Sequence, residues 1–323
     1  MKALVITSRD LEKSSTKYRL AQYIEFLKSK RIHIEFVKKM ELDASVVKRV
    51  SNFDLLINQR CLFQCSLARR LIDNSRRVLF DFDDAIYTRP GKPYSLITGL
   101  RVRRRLNLWL KRSHTVTISS NFLGRYARRY SNNVEVVPMA LDLDTWKPRE
   151  KSPDGNVTIG WAGAPVNLKL VESLDPVLGF LVRKYPFLKL AVFSGEKPRL
   201  SCPFEYQPYR PGLEAAFVQD LDIGLLPLID QEFYLGKSPI KAIQYLACGV
   251  PVVGNVMGAT CEILNEKNSI RVSTEEDWKI ALERLISNPD LAMAMGRAGR
   301  EHVKKNHNFQ VVAEQLFRVF SGK

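Results

Sequence analysis

Long apolar runs are absent from this chain of 323 residues. None reaches the roughly 18 uninterrupted apolar residues of a membrane span. The opening MKALVITSRD has no apolar core of the kind that directs secretion. A cytoplasmic location is therefore expected. Cysteine is scarce as well: Cys61, Cys65, Cys202, Cys248 and Cys261 are odd in number and irregularly spaced. Cys61 and Cys65 have no second pair or nearby His to complete a zinc site, so buried free thiols are expected in place of disulfides or a metal centre. The four histidines, His33, His114, His302 and His307, fall in no Ser-His-Asp or metal-ligand spacing, which leaves each a structural role. Internal repeats and low-complexity tracts are missing too.

Acidic residues fall short in one half only. Residues 1–150 hold 30 Lys and Arg against 15 Asp and Glu, whereas the remaining 173 residues hold 20 against 19. Nearly all of the net +16 therefore lies in the first half, which points to an anionic partner: a membrane surface, a nucleic acid or a polyanionic substrate. No zinc finger or aromatic nucleic-acid motif accompanies the charge, so nucleic acid is the weaker reading. The densest stretch, PYSLITGLRVRRRLNLWLKRS, places Arg101, Arg103, Arg104, Arg105, Lys111 and Arg112 beside Trp109. As a helix it sets Leu96, Leu100, Val102, Leu106, Trp109 and Leu110 largely on one face, a pattern suited to anionic lipid headgroups. The same periodicity suits a helix packed on its own sheet with a solvated basic side.

A length of 323 residues exceeds one comfortable core, and 45% hydrophobic residues suffice for two. Short apolar runs alternate with helical patterns. Strands are expected over 2–7, 33–37, 54–58, 78–82, 115–119 and 134–137, with helices over 18–29, 62–73 and 122–130. Residues 139–156 are polar and turn-rich and read as a linker. The alternation then restarts: strands at 157–161 and 188–193, helices at 168–184, 213–218, 278–286 and 291–306, and a closing amphipathic helix over 309–320. The fold class is α/β, with two Rossmann-like domains at 1–138 and 157–307 and a terminal helix over 308–323.

The stretch DIGLLPLIDQEFYLGKSPIKAIQYLACGVPVVG, residues 222–254, carries the chemistry. A strand closed by Pro227 leads to Gly236 and Lys237, then to a helix starting near Pro239 and ending at Gly249. Free N–H groups at a helix start, with Lys237 and Lys241 nearby, suit an anion. The same lysines could equally solvate one helix face. Leu246-Ala247-Cys248-Gly249-Val250-Pro251-Val252-Val253 resembles the tail of the nucleotide-sugar site in GT-B retaining glycosyltransferases of family 4. That family carries Glu-x7-Glu before the tail; here the two positions are Gly236 and Gln244. A divergent subgroup with the order Glu-Phe-x-x-Gly-Lys-x-x-x-Lys-x-x-Gln-Tyr is similar, and Glu232, Gly236, Lys237, Lys241, Gln244 and Tyr245 match it.

This resemblance implies a GT-B fold, with parallel sheets facing across a cleft and the last helix returning to the first domain. It also implies a nucleoside-diphosphate sugar as donor, a glycan or lipid-linked acceptor, retention of configuration, no required cofactor and no metal. Gly163, Glu232, Gly236, Lys237, Lys241 and Gln244 would bind donor, and Lys237 and Lys169 would stabilise the leaving diphosphate. Ligands of open parallel sheets sit beyond the C-terminal strand ends. Thr16 and Arg19, in the glycine-free loop after the first strand, are therefore expected at phosphate or acceptor, unless Ser14 or Ser15 merely caps a helix. Asp83 and Asp84 are expected to emerge at the open edge as acceptor contacts, with Arg89 or Lys92 as potential pairing partners. The resulting expectation is a glycosyltransferase of cell-surface polysaccharide or glycoconjugate synthesis, peripheral at the inner face of the membrane through Arg101, Arg103, Arg104, Arg105, Trp109, Lys111 and Arg112. The alternatives are a non-catalytic GT-B partner protein and a basic nucleic-acid-binding protein.

Overall fold

The computed structural model describes residues 1–8, 10–150 and 155–322, so 151–154 of the expected linker lie outside the described residues. The chain forms two compact units. The first comprises Met1–Ala140, Gln231–Ser238 and Gln310–Lys323, and the second Leu141–Asp230 and Pro239–Phe309.

The first unit is built on β1 (Lys2–Thr7), β2 (His33–Lys38), β3 (Leu55–Gln59), β4 (Val78–Phe82), β5 (Thr115–Ile118) and β6 (Val134–Val136). They form one parallel sheet in the order β2-β1-β3-β4-β5-β6. LLINQ in β3 and VLFDF in β4 are buried at every residue, as expected of central parallel strands covered on both faces. The helix Leu96–Arg112, capped by the Ser95 hydroxyl, lays Trp109 on Phe80 with ring centroids 5.7 Å apart. The closing helix Phe309–Ser321 packs in this unit: Arg77 donates to the Phe320 carbonyl at 2.6 Å and Gln315 to the Val136 carbonyl at 2.7 Å.

The second unit holds β7 (Val157–Ala162), β8 (Leu188–Ser194), β9 (Glu205–Pro208), β10 (Ile223–Leu226), β11 (Val252–Gly254) and β12 (Ser269–Arg271). These strands too are all parallel, in the order β12-β11-β10-β7-β8-β9. Gly249, at φ 72°, ends the helix Ile240–Ala247 in a Schellman turn. Its N–H donates to Leu246 and that of Val250 to Tyr245. The Cys-Gly-Val-Pro sequence is thus a helix stop that delivers the chain into β11.

The elements depart from expectation in three places. The helix expected over 18–29 is two helices, Ser14–Arg19 and Ile24–Ser29, separated by a short 3₁₀ turn. That expected over 168–184 is broken into Leu168–Glu172 and Asp175–Lys184, because Pro176 has no N–H for the carbonyl of Glu172 and instead starts a new helix. The edge strands β9 and β12 and the helix Ala44–Arg49 escape the sequence patterns, being too short for a period to register.

Candidate functional site

In the first unit the C-terminal strand ends gather an unusual set of internal charges. Arg19 is 2% exposed. Its Nε lies 3.2 and 3.3 Å from the two Asp81 oxygens, its Nη2 joins the same carboxylate, and its Nη1 donates to the Val137 carbonyl. Thr117 adds a 2.7 Å hydrogen bond to Asp81. Burial opposes the Arg19 charge, but the adjacent Asp81 outweighs it and raises the guanidinium pKa. Thr16 is also buried, its hydroxyl 3.3 Å from that of Thr7. Both residues expected to face phosphate are thus committed to interior partners. Neither Ser14 nor Ser15 caps the helix, since Lys13 occupies that position without a side-chain bond.

Arg60 is the residue that sequence reasoning left without a role. It follows β3 directly, at φ 52°, a left-handed conformation uncommon for a non-glycine residue. From there Nη1 donates to Ser15 at 2.7 Å and Asp83 at 2.8 Å, while Nη2 pairs with Asp84 at 3.0 Å. Burial disfavours its charge, yet Asp83 and Asp84 prevail and raise its pKa. Asp83 is therefore not at the open edge; it is 1% exposed and paired internally. Arg89, one of its expected partners, donates instead to the carbonyls of Lys92 and Pro93. The signal available in advance was an Arg placed immediately after an apolar strand; its acid Asp83 lies 23 positions further on and meets it only in the fold.

Asp84 links this cluster to Gln231–Ser238, a segment that the sequence reading keeps in the second domain. The Ser238 N–H donates to Asp84 at 3.1 Å. Burial raises the Asp84 pKa, Asp83 adds to the rise, and Arg60 opposes it. Lys237 is half-buried; burial lowers its pKa while the Asp84 charge counters, and its Nζ stands 5.6 Å from the Tyr234 ring. A Cβ at Gly236 would lie 2.7 Å from that of Ala85, so close packing accounts for this glycine. Glu232 is exposed at the start of the short helix Glu232–Leu235.

In the second unit, a polar cavity of about 220 Å³ opens beyond β10, β11 and β12. Ser173, Leu228, Asn255, Ser273, Glu275 and Trp278 are among its lining residues. Asn255 accepts from the Leu228 N–H at 2.9 Å and donates to the Val272 carbonyl at 3.0 Å, which fixes the floor of this cavity. None of these residues was singled out from sequence. Lys169 is exposed on Leu168–Glu172, Lys241 is half-buried, and Gln244 is 2% exposed. At Gly163 a Cβ would strike the Trp161 ring, so that glycine is required by its neighbour as well. Cys61, Cys202 and Cys248 are buried, Cys65 half-buried and Cys261 exposed, all of them free. Burial pushes the Cys61 and Cys248 thiols up to about 12, which removes them as nucleophiles.

The basic helix Leu96–Arg112 requires a correction. Trp109 is 0% exposed and cannot touch a membrane, because Leu106, Trp109 and Leu110 fill the core against β4. Arg112 pairs with Asp73 at 2.7 Å. Arg101, Arg103, Arg104 and Lys111 are exposed, and so are Leu96 (87%), Ile97 (71%) and Leu100 (70%) at the other end. Among the described residues no helix is long and apolar enough to cross a membrane.

Residues 209–318 match the model of a family described as glycosyl transferase-like. The chain is 26% identical over 220 residues to a D-inositol 3-phosphate glycosyltransferase of Corynebacterium jeikeium, a match covering 58% of this chain and 51% of the relative. It thus spans about half the length of that curated relative. Sucrose-phosphate synthase from Thermosynechococcus elongatus superposes with a TM-score of 0.79 at 14% identity, over 100% of this chain and 99% of that one. Anabaena HepE, solved with UDP and glucose, gives 0.70 at 12% identity, with 100% of both chains covered. At such identities the likeness is one of fold. Two parallel six-stranded Rossmann-like units and these superpositions establish a GT-B glycosyltransferase fold, within which residues 209–318 match the glycosyl transferase-like family.

Proposed function

We propose that this protein transfers a sugar from a nucleoside-diphosphate donor to a glycan or lipid-linked acceptor, in cell-surface polysaccharide or glycoconjugate synthesis at an anionic membrane. The observation that carries the proposal is the polar cavity beyond the C-terminal ends of β10 to β12. This edge is where open parallel sheets take nucleotides. HepE, whose fold this chain shares, has been solved with UDP-glucose. Asn255, Ser273 and Trp278 would then meet the base and ribose, and Gln244 a ribose hydroxyl. Gly163, Glu232, Gly236 and Lys241 complete the proposed donor set. Asp84, which burial holds closer to its neutral form, is the proposed acceptor contact, with Asp83 holding Arg60 beside it. Thr16 and Arg19 support that edge from inside.

The proposed chemistry retains configuration. The acceptor hydroxyl attacks the anomeric carbon on the face from which the diphosphate departs. The new C–O bond forms as the sugar–phosphate bond breaks, and the departing phosphate oxygen takes the hydroxyl proton. No enzymic nucleophile or cofactor enters the balance. Lys169 and Lys237 would stabilise charge as it develops on the leaving diphosphate.

A thermal-shift screen against UDP, GDP, CMP and ADP conjugates, followed by donor-hydrolysis assays, tests this reading. Stabilisation by one nucleotide class is expected; no response to any, from protein that is folded, would leave a non-catalytic GT-B protein. The Gln244 assignment gives a sharper test. Gln244→Leu should weaken nucleotide binding by about 1–3 kcal/mol through a hydroxyl left unpaired, whereas Gln244→Glu keeps an acceptor. Equal affinity of parent and Leu variant in calorimetry would assign the amide to packing alone.

A further inference from the structure

The apolar face of the basic helix is free to meet lipid at its N-terminal end, since in its C-terminal half that face is buried through Leu106, Trp109 and Leu110. A groove of about 510 Å³ runs from that free end between Leu96–Arg112 and the helix Cys65–Asp73. Leu100, Arg103, Arg104, Asn107, Leu108 and Lys111 line it from one helix. Their spacing of three and four residues makes a single stripe about 16 Å long at 1.5 Å per residue. Cys65 and Arg69, four residues apart, line it from the other helix.

The charge of this groove is uncompensated. Arg69, Arg103, Arg104 and Lys111 contribute four cations, and no acidic residue lines it. The nearest acid on the neighbouring helix, Asp73, is taken by Arg112 at 2.7 Å. One turn beyond Leu100 the stripe continues into Leu96 and Ile97, both largely exposed. Apolar side chains at one end and cations along the rest reproduce the layering of a bilayer interface, acyl chains first and phosphates next.

We propose that the helix Leu96–Arg112 enters an anionic membrane tip first, with Leu96, Ile97 and Leu100 among the acyl chains, and that the groove seats the phosphate of a lipid headgroup between Arg69, Arg103 and Arg104. A helix lying flat on the surface would need Trp109 and Leu106 in the lipid, and both are fully buried in the protein. The inference rests on the membrane part of the proposed function and is independent of the donor site.

Two pairs of substitutions that remove equal charge decide it. On flotation with phosphatidylcholine vesicles containing phosphatidylglycerol, Arg103→Gln/Arg104→Gln should lose roughly 30-fold in partitioning, at about 1 kcal/mol per basic residue. Arg101→Gln/Arg105→Gln, on the same helix but outside the groove, should lose only a few-fold. Leu96→Ser/Ile97→Ser should lose roughly 10-fold or more with the charge untouched. Alkylation of half-buried Cys65 should be slowed by these vesicles and unaffected by phosphatidylcholine alone or inorganic phosphate, with exposed Cys261 as the internal control. Equal losses from the two arginine pairs would overturn the groove and leave a diffusely basic surface that still binds membrane. Protection of Cys65 by inorganic phosphate would overturn the lipid assignment. Parent protein that ignores the vesicles but is retained by an RNA oligonucleotide would overturn both the groove and the membrane reading, while nucleotide-induced stabilisation would show the donor site intact.

Discussion

Arg19→Met should destabilise the first unit by about 3–5 kcal/mol, because it leaves the Asp81 carboxylate buried without its counter-charge. Asp81 would keep the Thr117 hydroxyl, a single uncharged donor, and lose the counter-charge together with the Nε and Nη2 contacts of the guanidinium. The Val137 carbonyl would lose a donor as well. The loss should appear as faster hydrogen exchange in β3 and β4 and an earlier urea transition for peptides of this unit. Arg19→Met combined with Asp81→Leu should regain much of it, since two apolar groups leave no charge to solvate. A single-variant loss below about 1 kcal/mol would mean that the guanidinium is in effect solvated, and would return Arg19 to the residues available for phosphate.

Lys237→Ala should lower turnover by roughly 10²-fold with the fold intact, if the ammonium acts on charge developing in the transition state. Its setting provides a second signature. Burial lowers the Lys237 pKa below the usual 10.5, with Asp84 opposing. The protonated fraction, and the turnover that depends on it, should therefore decline on the alkaline side at a pH below the ordinary lysine range. Lys237→Arg keeps a cation at all such pH values and should flatten that decline even where its turnover is lower. The sign for stability is opposite: between the lowered pKa and 10.5 the unfolded chain binds more protons than the native one, so this residue adds stability as pH rises. Unchanged turnover in Lys237→Ala would remove the residue from the chemistry and leave it a structural partner of Asp84.

The sequence by itself determined the fold class and the position of most strands, because a parallel strand buried on both faces, such as ALVI within β1 or VLFDF in β4, must be written in nearly continuous apolar residues. It also marked the turn at Gly249, where a positive φ calls for glycine, and the helix at residues 96–112, through its period and its arginines. Tertiary structure alone decided what those residues do. Periodicity puts Leu96, Leu100, Leu106 and Trp109 on one face, but only the neighbouring strand and helix determine that one end is buried and the other bare. A charged residue reads the same in sequence whether it faces solvent or an internal partner. Arg19, Arg60 and Asp83 became interior ion pairs because strands distant in sequence bring Asp81, Asp83 and Asp84 beside them. Lys237 joined the first unit for the same reason: Asp84, more than 150 positions earlier in the chain, accepts the Ser238 N–H. Local patterns encode which face is apolar; pairing of charges across long sequence separations is decided only when the sheets assemble.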